Sequence, residues 1–261
     1  MERTLIVAHR GDSERYPENT IAAFEQAIKK GADTIEFDVH MSADGRLVVH
    51  HDYYLGTTDN GEGCIFEKDW DYLKKLDVGS WYDPKFSGCR MPSFSEVLSL
   101  VAGKIRLEIE LKGFGKQFLQ AVKGSYSSFD RSILESIEFT ASGLHTLNGI
   151  RSIMPGTTIG IFLPEPPSWM KPQLAQKLAE DSLISGNVDV GHFPLSVLSE
   201  EFVGHIQRQG KIVHAANCDN KEDLQKAFQY GVNQLSTNRL ELAVEVRASG
   251  LKKVAEKYHI P

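Results

Sequence analysis

The chain has 261 residues, a quarter of them charged and 41% hydrophobic, with a formal net charge of -6. That length suits one large α/β domain with a sizeable core. The acidic balance and the lack of any lysine or arginine block argue against nucleic acid, no apolar run approaches the ~20 residues of a transmembrane span, and a homo-oligomer stays open.

Leu5 to Ala8 reads as a short buried strand, too brief for a signal-peptide core. Residues 20–30 read as a helix capped by Asn19 or Thr20, with Ile21, Phe24, Ala27 and Ile28 along one face and Gly31 closing it. A strand at 34–39 follows, then the turn Ser42-Ala43-Asp44-Gly45 and a second apolar run, Leu47 to Val49. Residues 53–91 form a long irregular region rich in Gly, Asp, Trp and Tyr, the mark of a functional loop or a small insertion, drawn here at about 53–92. Beyond it the pattern alternates. A helix at 93–101, a strand at 105–111 and a helix at 115–126 come first. A strand at 132–136, a helix at 142–151, a strand at 158–163 and a helix at 172–180 follow. The remainder is a strand at 188–191, a helix at 199–209, a strand at 211–216, a helix at 221–230, a strand at 234–237 and a last helix from Leu240.

Eight strand-then-helix units demand parallel strands joined by right-handed crossovers, which predicts a closed (β/α)8 TIM barrel in one domain, with a small insertion after strand 2. An open doubly wound sheet is the alternative. It is weakened by the absence of a GxGxxG run after the first strand. A barrel carries its chemistry at the C-terminal ends of its strands. His9-Arg10 follows the first strand, Glu36 and Asp38 lie on the second, and Glu110 and Lys112 end the third.

Glu36 and Asp38 are two apart and so share one face, while Ile35, Phe37 and Val39 take the other. Two adjacent carboxylates resist burial unless a cation neutralises them, and an all-oxygen set suits Mg²⁺ or Ca²⁺. A solvated strand face is the simpler reading, but the flanking residues are too apolar for it. Residues 106, 108, 110 and 112 are all charged, with Leu107, Ile109 and Leu111 between them, so this strand turns a charged face to the lumen. Glu110 becomes a third carboxylate for the cation, and Lys112 suits an anionic substrate. An Arg106–Glu108–Glu110–Lys112 ion-pair ladder is the competing explanation. The hairpin after Asp38 brings His50-His51-Asp52 back to the acids. His9 and His51 are candidate proton-transfer groups, since imidazole titrates near neutrality. Arg10 offers a planar fork for phosphate oxygens. His50 is expected to point away from the chemistry. His192 either reaches the substrate or is an ordinary loop histidine.

These residues closely resemble the glycerophosphodiester phosphodiesterase family. The matching motifs are His9-Arg10-Gly11, Pro17-Glu18-Asn19-Thr20, Glu36-Phe37-Asp38, His51-Asp52, Thr57-Thr58 with Asn60-Gly61-Glu62-Gly63, Asp77-Val78-Gly79-Ser80-Trp81 and Glu110-Leu111-Lys112. The resemblance implies the barrel, and one divalent cation, Mg²⁺ or Ca²⁺, on Glu36, Asp38 and Glu110. It implies His9 and His51 as acid and base, with Arg10 and Lys112 on the phosphate of a small-molecule glycerophosphodiester. The implied reaction is hydrolysis to an alcohol and glycerol 3-phosphate. The expected route is attack by the glycerol 2-hydroxyl and opening of a cyclic phosphate by water, with direct attack by water as the competitor. The second half departs from the family: Ala216 stands where a tryptophan is usual, which opens the mouth and leaves the alcohol undefined.

Cys64, Cys89 and Cys218 form no CxxC and are odd in number, which fits a reducing, cytoplasmic setting, although pairing of Cys64 with Cys89 stays open. Phe66, Trp70, Tyr72, Trp81, Tyr82 and Phe86 are expected to build the insertion's own small core. If they instead meet a lipid, a lysophospholipase D-like activity on the same site is the second enzyme reading. A non-catalytic phosphate-binding barrel would have lost a histidine or an acid, and this chain has them all.

Overall fold

The computed structural model describes residues 3–126 and 129–258, with side chains as far as residue 250. Strands β1 (Leu5–Ala8), β2 (Thr34–Met41), β3 (Leu47–Val49), β4 (Arg106–Leu111), β5 (Ile137–Ala141), β6 (Thr158–Phe162), β7 (Val190–Pro194), β8 (Ile212–Ala216) and β9 (Gln234–Thr237) share one sheet. Every strand but β3 pairs in parallel with its neighbours, and β1 pairs with both β9 and β2. The sheet therefore closes into an eight-stranded parallel barrel, the expected (β/α)8 fold. β3 lies outside that count, antiparallel to the far end of β2, with Val39 opposite Val49.

Helices cover the outside. After β1 comes α1 (Ile21–Lys29), whose N-cap is Thr20, accepting from the Ala23 N–H. α2 (Trp70–Leu73) is a single turn within the insertion, and α3 (Phe94–Val101) begins at a capping box between Ser93 and Glu96. α4 (Gly115–Ser125), α5 (Arg131–Leu134), α6 (Leu144–Ile153), α7 (Pro172–Ser185), α8 (Glu200–Arg208), α9 (Lys221–Tyr230) and α10 (Leu240–Tyr258) complete the order. The strand period sorts the side chains. Ile35, Phe37, Val39, Leu107, Ile109 and Leu111 point outward and are buried with Phe24, Phe94 and Phe118 in one continuous core. The polar residues between them are left to the lumen.

Two strands differ from the sequence expectation. The segment at 132–136 is not a strand: Asp130 starts the short α5, and the Ser136 hydroxyl donates back to the Ile133 carbonyl at 2.7 Å, closing the turn. The strand is Ile137–Ala141, where Ile137, Phe139 and Ala141 alternate with inward Glu138 and Thr140. The sixth barrel strand, β7, also starts later, at Val190, after a turn in which Asn187 takes a φ of +49°. His192 is consequently a buried strand residue rather than a loop residue.

The segment from 53 to 92 packs around its own small cluster, but that cluster is aliphatic. Val48, Leu55, Ile65, Leu73, Leu76, Val78 and Met91 form it, with Trp70 against its edge. The expected aromatic core is corrected here: Phe66, Tyr72 and Trp81 are 44%, 38% and 43% exposed.

Candidate active site

The first barrel strand ends in a strained turn. Arg10 and Gly11 both have positive φ, +57° and +86°, and a Cβ on Gly11 would stand 2.7 Å from the Ala23 side chain. Strained backbone of this kind persists where surrounding contacts over-determine it. Here the Arg10 N–H donates to Glu36 Oε2 at 2.9 Å, and its guanidinium reaches Glu18 Oε1 at 2.9 Å and Asp38 Oδ2 at 3.5 Å. His9 is turned by its partner: Nδ1 donates to Asn238 Oδ1 at 2.9 Å, and Nε2 looks toward Glu36 Oε2 at 3.9 Å.

The three predicted carboxylates converge. Asp38 on β2 lies opposite Glu110 on β4, and one oxygen each from Glu36, Asp38 and Glu110 lie within 4.8 Å of one another. Burial and the charge of Asp38 push Glu36 well above the usual carboxylate range, and the same two causes push Glu110 up to about 7. Burial works in the same sense on Asp38, but the Lys112 and Arg10 charges outweigh it and hold that carboxylate below its ordinary range. The Lys112 ammonium sits 3.3 Å from Asp38 Oδ1 and 3.0 Å from Glu110 Oε1. Asp38 Oδ1 is buried with no hydrogen-bond partner among the described residues. An all-oxygen trio, one of whose buried oxygens has only the Lys112 ammonium beside it, suits a hard divalent cation. Of the competing ion-pair ladder only Glu110–Lys112 is present; Arg106 is exposed and Glu108 is buried elsewhere in the lumen.

The β2–β3 hairpin delivers His51 to the same mouth, with the His50 N–H bonded to the Asp38 carbonyl at 3.2 Å. His51 Nδ1 donates to Asp52 Oδ1 at 2.7 Å, and the side chain remains 30% exposed. His50 points the other way, as expected, into Asp59 at 3.0 Å.

Several site residues carried no assignment in the sequence reading. Asn19 was a candidate helix cap; instead its amide donates to Asp38 Oδ2 at 2.8 Å and its φ of +56° aims it there. Asn238 holds His9, and its own amide is fixed by donation to Asp219 Oδ2 at 2.7 Å. His40, lumenal like Asp38, reaches the His51 carbonyl at 3.1 Å and is pushed down to about 4 by burial. An Asn after a strand offers no signal by itself, because its partner is remote in sequence.

Comparison with known proteins matches residues 9–242 to the model of the glycerophosphoryl diester phosphodiesterase family. The glycerophosphodiester phosphodiesterase of Caldanaerobacter subterraneus subsp. tengcongensis is 32% identical, across 95% of this chain and 99% of its own length. That of Bacillus subtilis is 29% identical across 94% of this chain and 87% of its own. Among solved structures, an Oleispira antarctica phosphodiesterase in complex with the product sn-glycerol-3-phosphate superposes with a TM-score of 0.82 at 23% identity, covering 94% of this chain and 96% of that one. The match runs from His9, just past β1, to the start of α10, and the chain belongs to the glycerophosphoryl diester phosphodiesterase family.

Proposed function

We propose that this chain, as one barrel domain with 53–92 as an insertion, hydrolyses small glycerophosphodiesters to an alcohol and glycerol 3-phosphate. The observation that carries this reading is the pairing of two imidazoles with unlike partners at one rim. His9 donates from Nδ1 to a neutral amide, so its Nε2 carries a lone pair, and burial and Arg10 lower its basicity, which favours the neutral ring. His51 donates from Nδ1 to the Asp52 carboxylate, the counter-charge a doubly protonated ring requires. His9 is therefore the base and His51 the acid of the first step.

A divalent cation, Mg²⁺ or Ca²⁺, held by Glu36, Asp38 and Glu110 would supply Lewis acidity toward phosphate and hydroxyl oxygens. Arg10 and Lys112 bind the remaining phosphate oxygens as a fork and a point charge. His9 Nε2 takes the proton of the glycerol 2-hydroxyl as that oxygen attacks phosphorus. His51 gives its Nε2 proton to the departing alkoxide. In the second step the roles reverse: His51 takes a proton from water as it opens the cyclic phosphate, and His9 returns one to the 2-oxygen. A cytoplasmic setting accords with the three free thiols, and among the described residues no helix is long and apolar enough to cross a membrane.

The test is a product assay on a small panel of glycerophosphodiesters, with and without chelator. Hydrolysis that survives metal stripping would sink the carboxylate assignment. Unchanged turnover in His51→Ala with the fold intact would sink the acid. Trapping glycerol 1,2-cyclic phosphate separates the two-step route from direct attack by water.

One observation favours a second reading on the same site. Tyr53 stacks on Phe114 with centroids 5.6 Å apart, Phe66 meets Phe114 edge-on, and all three are more than a third exposed. This strip begins two residues past Lys112 and could seat the apolar chain of a lysophospholipid.

A further inference from the structure

The lumen below the carboxylate trio holds a second set of ligating side chains. Glu108 on β4 lies opposite Glu36 on β2, one pleat deeper than the Asp38–Glu110 pair. With it stand His192 from β7 and His214 from β8, neighbours in register with ring centroids 4.1 Å apart. The three are at most 2% exposed, and one donor atom of each lies within 4.8 Å of the other two.

Their spacing has a specific meaning. Glu108 Oε1 is 3.6 Å from His192 Nδ1, and Glu108 Oε2 is 3.3 Å from His214 Nδ1. One donor atom from each of the three residues, within 4.8 Å of the others, is near enough to close on an ion that holds its ligands about 2.0–2.1 Å away, once one carboxylate oxygen is turned to both rings. Glu108 Oε2 and His192 Nδ1, both buried, have no hydrogen-bond partner among the described residues. Buried polar atoms are seldom left so, and a bound ion is one of the standard reasons.

The surroundings are built as an outer shell. His192 Nε2 donates to Glu138 Oε1 at 2.6 Å, which turns Nδ1 toward Glu108, the carboxylate–imidazole arrangement common behind metal ligands. Gln234 Nε2 donates to Glu138 Oε2 at 2.8 Å and to His214 Nδ1 at 3.1 Å. Binding through that nitrogen displaces only the second of these contacts. Gly160 on β6 leaves the room: a Cβ there would stand 2.6 Å from His192 Nε2 and collide with Glu138 Oε1.

We infer that Glu108, His192 and His214 form a second metal site, for a zinc-class divalent transition ion. Two nitrogens and one oxygen suit such an ion and not Mg²⁺ or Ca²⁺, whereas the oxygen trio above has the opposite preference. The chain would thus carry a hard-ion site at the mouth and a borderline-ion site beneath it. The deeper ion ties β4, β7 and β8 across the lumen.

The test strips the full chain with chelator and titrates it with Co²⁺ in excess Mg²⁺. The expected result is one equivalent of cobalt with the intense visible bands of a four-coordinate, nitrogen-ligated ion. Those bands persist in Glu36→Gln/Glu110→Gln, which disables the upper trio, and disappear in Glu108→Gln and in His214→Gln, each checked for folding by circular dichroism. Only the weak bands of a six-coordinate oxygen site in the wild-type chain would overturn the inference. So would bands that vanish with the upper trio, or that survive in a folded Glu108→Gln or His214→Gln. The wild-type spectrum decides even if the lumenal variants do not fold, and it is read independently of phosphodiesterase turnover.

Discussion

His9 donates its Nδ1 proton to Asn238 Oδ1 at 2.9 Å across the closure of the barrel between β1 and β9. Asn238 cannot reverse its amide, because its Nδ2 is committed to Asp219 at 2.7 Å and its N–H to the other Asp219 oxygen at 2.7 Å. The Asp219 carboxylate thus sets the tautomer of His9 through one intervening amide. Asn238→Ala should lower kcat by about tenfold or more, as an unheld base loses part of its contribution. Asn238→Asp gives the imidazole a carboxylate partner, which favours its protonated form. The acidic limb of its kcat/KM profile should therefore move to higher pH, while that of Asn238→Ala should not. Identical limbs in the two variants would remove Asn238 from any role in positioning the base.

The contrast between Glu110 and Asn238 marks how much of this site can be read from sequence. Glu36, Asp38 and Glu110 announce themselves because a strand period puts them on one face among buried neighbours, so their convergence follows from adjacent parallel strands. Asn238 acts on a residue 229 positions away, and nothing local distinguishes it from a turn residue. Glu138 was missed for a related reason. The apolar residues of 132–136 resemble a strand when read alone, and only the packing of Ile137, Phe139 and Ala141 into the core reveals the true register. That slip also hid the partner of His192. Periodicity tells which face a residue takes; which residues meet across a lumen depends on barrel closure and stagger.

The acids also set how stability responds to pH. Glu36 and Glu110 are raised in the folded chain, Glu110 to about 7, by burial and by Asp38. Between the ordinary carboxylate value and about pH 7, the cation-free native state therefore holds protons that the unfolded chain has released. With more protons bound in the native state, stability falls as pH rises through that window. Asp38 has the opposite shift, and its contribution is lost only as the solution becomes strongly acidic. Metal-stripped protein should melt at a lower temperature at pH 7 than at pH 5. Added Mg²⁺ or Ca²⁺ should raise the melting temperature more at pH 7, where ionised carboxylates are available to it. Glu110→Gln should show a shallower fall and a weaker response to the cation. A flat melting temperature in stripped wild-type protein, unaffected by either ion, would contradict the carboxylate trio.

Gly11 should be hard to replace. Its φ is +86°, and an added Cβ would lie 2.7 Å from the Ala23 Cβ and 2.8 Å from the Ala23 carbonyl carbon, in backbone that α1 cannot easily move. Gly11→Ala adds left-handed strain to overpacking, together about 3 kcal/mol. Because Arg10 shares the turn, activity should fall as well as the denaturation midpoint. Gly31→Ala is the control, since its φ is +80° with nothing within 4 Å of the added atom. It should lose only about 1 kcal/mol and keep its turnover. Equal losses in the two variants would mean that backbone conformation alone, and not the close approach of α1, constrains Gly11.

The aromatic strip yields a substrate prediction. Phe114 is 60% exposed and stands between Tyr53 and Phe66, so its ring is held by two others without being buried. A glycerophosphodiester with a short polar alcohol has nothing to gain from that surface. A lysophospholipid does, at about 25 cal/mol for each Å² of chain removed from water. Phe114→Ala should therefore leave KM and kcat for a small diester within about twofold. For a lysophospholipid it should raise KM by about fivefold to tenfold with kcat unchanged, the pattern of lost binding that is equal in ground and transition states. Equal effects on both substrates would mean that the ring supports Lys112 and the nearby backbone rather than a chain. No effect on either would leave the polar alcohol as the substrate class, and the exposed rings without a part in selecting it.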